Sequence, residues 1–294
     1  MFNPEISANR RPIDRLSRNP FFAGLADRVQ PVVKRIVAAA GLPVQNVLHG
    51  SMLGHPLHAA LTDVPVGAWT VTAALDLCEL CGGPSDLGAD SALIVGLVGA
   101  SGAIVSGWAD WSDTQDDPRT LGMAHATANG LAVTGYLASL ALRRIGRRRL
   151  GLFAGLAAYG ALGAAAYIGG ELSFGQLLGA KHTAEPIFPA AEFTPVLDAG
   201  ELSEAQPART DFNGIPLLVS YRGGAVSAIS AVCTHRGAPL ADGTFADGCV
   251  RCPWHGSTFA LDDGRVVAGP ATFPQPRFEA RISAGRVEVR ALAV

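Results

Sequence analysis

Residues 233–259 read CTHRGAPLADGTFADGCVRCPWHGSTF. Cys233 and His235 form a C-x-H pair, Cys252 and His255 form a C-x-x-H pair, and sixteen residues lie between them. Two soft thiolates and two imidazoles are thus offered from two short loops. That donor set suits an asymmetric [2Fe–2S] cluster, with two cysteines on one iron and two histidines on the other. Exchanging two anionic thiolates for neutral imidazoles lowers the negative charge of the cluster, so it accepts an electron more readily. Such centres lie between about −150 and +300 mV, against about −400 mV for an all-cysteine plant-type cluster. Zinc accepts the same four ligands, but zinc fingers present C-x₂₋₄-C and H-x₃₋₅-H pairs, not two mixed loops.

The stretch resembles the cluster loops of the Rieske iron–sulfur domain, and the resemblance extends over about 195–294. Gly237, Pro239, Pro253, Gly256 and Ser257 stand where that family's loops carry them. The resemblance implies that Cys233, His235, Cys252 and His255 are the metal ligands, the two imidazoles lying near the surface where an electron can leave. It gives Gly237, Pro253, Gly256 and Ser257 supporting roles. Pro253 stiffens its loop, the glycines let N–H groups approach the sulfides, and Ser257 donates its hydroxyl to one of them. Such hydrogen bonds stabilise the reduced cluster. Family members that oxidise quinol carry a further cysteine in each loop, joined as a disulfide, and a tyrosine two residues after the serine. Here those positions hold Ala238, Trp254 and Phe259. We therefore expect a ferredoxin-like centre, below about +100 mV.

Of five cysteines, Cys78, Cys81 and Cys249 remain, which gives no disulfide framework. Cys249 reads as a buried strand residue. Cys78-x-x-Cys81 falls at a helix C-terminus, where the dipole does not lower a thiol pKa, so it reads as structural. Net charge is −2, and nothing argues for nucleic acid. Charged residues are 16% of the chain, against roughly 25% in ordinary soluble proteins. The deficit falls in 58–170. Four apolar runs there, about 59–80, 91–109, 124–142 and 150–170, are each long enough to cross a bilayer. Small residues recur in them at helical spacing: Gly96 and Ala100, Gly102 and Ser106, Gly151 and Gly155. The sequence HGSMLGHPLHAALTDVPVGAW at 49–69, with Gly169-Gly170-Glu171 after the fourth run, resembles a bacterial four-helix membrane domain of unknown function.

The expected fold is therefore multidomain: an α-helical transmembrane four-helix bundle followed by an all-β iron–sulfur domain. The parts are an N-terminal arm (1–57), the bundle (58–171), a linker with Pro186 and Pro189 (172–194) and the β domain (195–294). In the arm, 21–40 alternates apolar and basic residues, which suits either an interfacial helix or one packed on protein. No apolar core fills the first twenty residues, so no signal peptide is read. Arg10-Arg11 has no apolar run after it and reads as a solvated basic segment. Strands are expected at 215–221, 225–231, 249–252, 264–268, 277–283 and 286–290, with Gly-containing turns beside them.

With four spans, His55, His58, Asp63, Asp110, His125 and Glu171 share the side from which the β domain hangs. His55, His58, Asp63, His125 and Glu171 thus form a candidate haem b or quinone site. Arg143, Arg144, Arg147, Arg148 and Arg149 favour a cytoplasmic loop between the third and fourth spans. The absence of an export signal and the basic arm favour a cytoplasmic β domain instead, and we place it there, on the inner membrane. The expected function is a membrane-anchored one-electron carrier working between donor and acceptor proteins. The alternative is a quinone- or haem-linked membrane oxidoreductase.

Overall fold

The computed structural model describes residues 12–84, 87–183 and 192–292. Arg10-Arg11, Pro186 and Pro189 lie outside these residues. The chain divides into two compact units, Met1–Gly41 with Leu57–Leu178, and Leu42–Pro56 with Gly179–Val294. The sequence boundaries at 57, 171 and 195 are thus shifted. Leu42–Pro56 groups with the β domain because Asn46 and Ser51 hydrogen-bond to it.

The first unit holds α1 (Pro20–Ala39) and then the bundle. The bundle is two helical hairpins, α3 (Leu57–Leu80) with α4 (Leu87–Ser112) and α5 (Asp116–Arg144) with α6 (Arg148–Gly170). Helix α2 (Gly41–His49) belongs almost wholly to the second unit. The apolar face of α1 (Phe22, Leu25, Ala26, Val29) packs on Trp108, Trp111 and Met123, and the Gln30 amide donates to the carbonyls of Trp111 and Thr114. Of the two readings of this helix, packing on protein is the one observed.

The bundle buries a cluster of polar side chains beside its apolar core of Trp69, Leu93, Tyr136 and Leu162, and is apolar outside. Thr72, Asp76, Ser106, Ser139 and Arg143 are buried, while Val71, Val98, Leu131, Leu137 and Phe153 are exposed. Water penalises that distribution and a hydrocarbon surround favours it. By length and composition, Gly88–Ser112 and Arg148–Gly175 are apolar enough to cross a membrane. Where the sequence reads four spans, α3 and α5 fall short: α3 carries Asp63, Pro65 and Asp76, and α5 carries His125, Asn129 and Arg143. The small residues seat bulky neighbours: a Cβ on Gly96 would run into the Trp69 indole, and one on Gly151 would lie 2.7 Å from Arg143 Cγ.

The two hairpins repeat one another. Asp76 and Arg143, 67 positions apart, form a buried ion pair. Trp69 and Tyr136, at the same separation, stack at 4.2 Å between ring centres. His58 and His125, again at that separation, meet edge to face at 6.4 Å. Helices α3 and α5 are therefore related by an approximate two-fold axis along the bundle, with three like-placed pairs meeting across it. Arg143 also binds Asp90, and Arg148 binds Glu79 and Asp90. Two of the five loop arginines are thus spent on internal ion pairs.

The second unit carries two antiparallel sheets. The larger has the order β1 (Thr194–Asp198), β10 (Arg286–Ala291), β9 (Arg277–Ser283), β4 (Ala225–Ser230), β3 (Ile215–Arg222), β2 (Ala208–Phe212). The smaller runs β5 (Thr244–Ala246), β6 (Cys249–Arg251), β7 (Thr258–Ala260), β8 (Val266–Ala268). Left-handed residue pairs turn the hairpins at Asn213-Gly214, Asp247-Gly248 and Ala284-Gly285. Leu218, Ile229, Leu240, Val250 and Phe259 form the core on which the two cysteine loops rest.

Candidate metal centre

The loops after β4 and β6 have the same backbone. The Cys233 carbonyl accepts from the Gly237 N–H at 2.8 Å, and that of Cys252 accepts from the Gly256 N–H at 3.1 Å. In return the Cys233 N–H donates to Ala238 and the Cys252 N–H to Ser257, each at 2.8 Å. Both turns close on a left-handed glycine, Gly237 at φ 74° and Gly256 at φ 78°. A side chain there would strain the turn. The histidine comes two residues after the cysteine in one loop and three after it in the other.

This geometry sorts the donors by element. The Cys233 and Cys252 thiols are neighbours in the buried core. That contact and burial push the Cys233 thiol up. The Cys233 thiol and the N–H groups of His255 and Trp254 draw the Cys252 thiol down against the cost of burial. The imidazoles of His235 and His255 stand perpendicular, with ring centres 5.0 Å apart. Burial, then the charges of His255, Arg236, His49 and His182, hold His235 well below the usual histidine range. His235 Nδ1 is buried and makes no hydrogen bond, a costly state unless a ligand takes its lone pair. Among the described residues, no three His, Cys, Asp or Glu side chains converge as a single ion requires. Two sulfurs on one side and two nitrogens on the other fit a binuclear cluster better than one zinc.

Known proteins bear on this geometry. The Rieske [2Fe–2S] domain family matches residues 192–279. The anthranilate 1,2-dioxygenase ferredoxin subunit of Burkholderia cepacia is 33% identical over 99 residues, 34% of this chain and 92% of that protein. The chain belongs to the Rieske [2Fe–2S] family. A cytochrome b6-f complex iron-sulfur subunit of Chlorobaculum thiosulfatiphilum is 37% identical over 89 residues, 29% of this chain and 48% of the relative. The chain thus spans about half the length of that relative. A solved ferredoxin of carbazole 1,9a-dioxygenase from Nocardioides aromaticivorans IC177 aligns with 25% identity, over 35% of this chain and all of its own, with a TM-score of 0.33. Residues 54–182 match the family described as Predicted membrane protein (DUF2231). The chain therefore joins a helical region of that family to an all-β Rieske domain, whose cofactor is a [2Fe–2S] cluster.

Several residues of the Rieske domain that brace the loops have no signature in the motif. The Gln275 carboxamide, in the orientation its neighbours require, donates to the Val232 carbonyl at 2.8 Å and accepts from the Thr234 N–H at 2.9 Å. The Thr234 hydroxyl donates to the Phe273 carbonyl at 2.7 Å. Ser257 is fully buried, and its oxygen accepts the Ala271 N–H at 3.0 Å. The Ser257 proton has no acceptor among the described residues. The Ala271 carbonyl accepts from Ser51 at 2.9 Å, and the Gly269 N–H donates to Asn46 at 2.8 Å. The imidazoles are half-buried, more enclosed than the sequence implies, with His49 and His182 close enough to His235 to shift it. Phe259 is buried, Pro253 and Trp254 are exposed, and Cys249 is half-exposed rather than buried.

Of the candidate bundle site, the structure brings His58 and His125 together. Asp63 is exposed on α3, about one and a half helical turns past His58 and on another face. Glu171 caps α6 beside Gln176. His55 is exposed, bonds the Pro56 carbonyl and belongs to the second unit.

Proposed function

We propose that this chain is a membrane-anchored one-electron carrier, with a ferredoxin-like Rieske centre held by Cys233, His235, Cys252 and His255. The observation that carries this is the matched pair of loops, which puts two thiols together and two imidazoles together on equivalent turns. When bound, the cluster supplies a one-electron couple. The chain's own residues position and tune it. The N–H groups of His235 and Arg236 point at the Cys233 sulfur, and those of Trp254 and His255 at the Cys252 sulfur, favouring the added negative charge of reduction. Residues 58–171 serve as a multi-pass anchor in the inner membrane, and 195–294 carry the centre on the cytoplasmic side. The apolar outer surface of the bundle, with Val71, Val98, Leu131, Leu137 and Phe153 exposed, supports the anchor. Donor and acceptor proteins complete the path. The test is paramagnetic resonance of anaerobic, dithionite-reduced membranes. Wild type should show the signal of a mixed-ligand [2Fe–2S] centre, and Cys252→Ser should lack it. A wild-type preparation that binds zinc and no iron refutes the reading.

A second reading is favoured by the paired imidazoles of His58 and His125: the bundle holds a redox cofactor of its own, haem or quinone, and the chain is part of a membrane oxidoreductase.

A further inference from the structure

Each hairpin of the bundle carries the same three-residue arrangement. His58 on α3 directs Nδ1 at the Ala103 carbonyl of α4, 2.8 Å away. His125 on α5 directs Nδ1 at the Ala165 carbonyl of α6, 2.9 Å away. A carbonyl only accepts, so Nδ1 of both rings carries the proton and Nε2 keeps its lone pair. Four residues after each carbonyl stands a glycine against the ring. A Cβ on Gly107 would lie 2.8 Å from His58, and one on Gly169 2.9 Å from His125. Both rings are therefore seated in a glycine notch and fixed by a main-chain hydrogen bond. That is the support metal-binding histidines receive, since it sets the tautomer and raises the basicity of the other nitrogen. One such histidine is ordinary packing. Two, related by the approximate two-fold axis and perpendicular at 6.4 Å, are a pair of like donors.

The separation and the donor count identify the ligand class. A metal about 2 Å from each of two opposed imidazole nitrogens, with about 1 Å more to each ring centre, places the centres about 6 Å apart. Among the described residues no third His, Cys, Asp or Glu joins the pair. A bare ion would lack ligands, whereas an iron that brings four of its own in a macrocycle needs two. The residues against the pair are small, Ala103 and Gly107 on α4 and Ala165 and Gly169 on α6, and a flat ring lies against such surfaces. Bundle cores are where facing helices build cofactor sites.

We infer that His58 and His125 are the two axial ligands of a b-type haem held inside the bundle. This rests on the second reading above and selects haem over quinone; it does not depend on the cluster. In the structure the Asn129 amide donates to His125 Nε2 at 3.0 Å and to the His125 carbonyl at 3.1 Å. Loading requires it to release the ring and keep the carbonyl. Asn129→Ala is thus a control that retains haem.

The test uses the full chain, produced in haem-supplied cells and purified in detergent, with the visible spectrum and haem content read beside the paramagnetic resonance of the cluster. Wild type should show a Soret band, a sharp α band on reduction and about one haem per chain. His58→Ala and His125→Ala should each lose haem while the cluster signal stays, and Asn129→Ala should lose neither. His58→Met and His125→Met retain a ligating atom, and should shift the bands and raise the haem potential. Wild type with an intact cluster signal and no Soret band overturns the inference. So does an unchanged haem spectrum in either alanine or methionine variant. A preparation lacking the cluster but carrying haem refutes the Rieske reading alone.

Discussion

Ser257→Ala isolates the contribution of one hydroxyl to the redox potential of the cluster. The side chain is fully buried, its oxygen already accepts the Ala271 N–H, and its proton has no protein acceptor among the described residues. On the ligand assignment proposed above, that proton would be free to bond a sulfide of the cluster. A hydrogen bond to a charged acceptor is worth about 1.5–3 kcal/mol. It exists in both redox states, so only the part gained on reduction moves the potential, about half, or about 0.7–1.5 kcal/mol. For a one-electron couple about 1.4 kcal/mol corresponds to about 59 mV. Ser257→Ala should therefore lower the midpoint by about 30–60 mV. The same substitution strips the Ala271 N–H of its acceptor and costs about 1–3 kcal/mol of stability, so a lower melting temperature alone says nothing about the cluster. Ser257→Thr keeps the hydroxyl and should hold the potential near wild type. The assay is a redox titration of membranes followed by paramagnetic resonance. A midpoint for Ser257→Ala that is unmoved, or higher, refutes the placement of the hydroxyl.

Arg143→Leu leaves the Asp76 carboxylate buried among helices without its cation, and should destabilise the bundle by about 3–5 kcal/mol. Replacing both Asp76 and Arg143 by leucine should recover most of that loss, measured by unfolding in detergent; equal losses in single and double variants would contradict a functioning pair. Gly214→Val forces a β-branched residue into the left-handed turn between β2 and β3 (φ 85°), and should cost about 1–2 kcal/mol. The readout is the melting temperature of the Rieske domain, and no change would mean that the turn relaxes freely.

What the sequence disclosed follows from the range of the interactions. The ligands were legible because each Cys/His pair is local, three or four residues long, and its chemistry lies in side-chain type. The long strands β3, β4, β9 and β10 were legible as β-branched runs bounded by glycine turns. Strands β5 and β7 are three residues each, too short for a periodic signal, whereas the equally short β6 and β8 were legible because a glycine turn stands just before each apolar run. Strand β2 has a signal of its own in the sequence: Asn213-Gly214 is a two-residue left-handed turn, and such a turn next to β3 demands a strand before it. The supports of the cluster loops were not legible. Gln275 reaches Val232, and Asn46 and Ser51 reach across more than two hundred residues to Gly269 and Ala271; no local pattern encodes such contacts. The bundle repeat was hidden for a different reason. Its partners differ in kind, tryptophan against tyrosine and aspartate against arginine, and only the histidines repeat outright.

The segment Leu42–Pro56 separates this Rieske domain from the ferredoxin relative. The 99 matched residues are 92% of that subunit, which leaves it too few for a counterpart of Leu42–Pro56. Here that segment supplies Ser51 to the Ala271 carbonyl and Asn46 to the Gly269 N–H, while the Ala271 N–H holds Ser257. The peptide that fixes the second cluster loop is therefore gripped by residues that precede the bundle in sequence. The chain enters α3 directly after this segment and returns to the β domain only after α6. Cutting the chain before Gly179 would release a domain of ferredoxin size without two of the side chains that position Ala271. The Rieske domain is thus completed by chain on both sides of the helical bundle. That is the arrangement expected where the β domain and the helical region are built as one chain, not of a self-contained ferredoxin fold with helices added at its N-terminus.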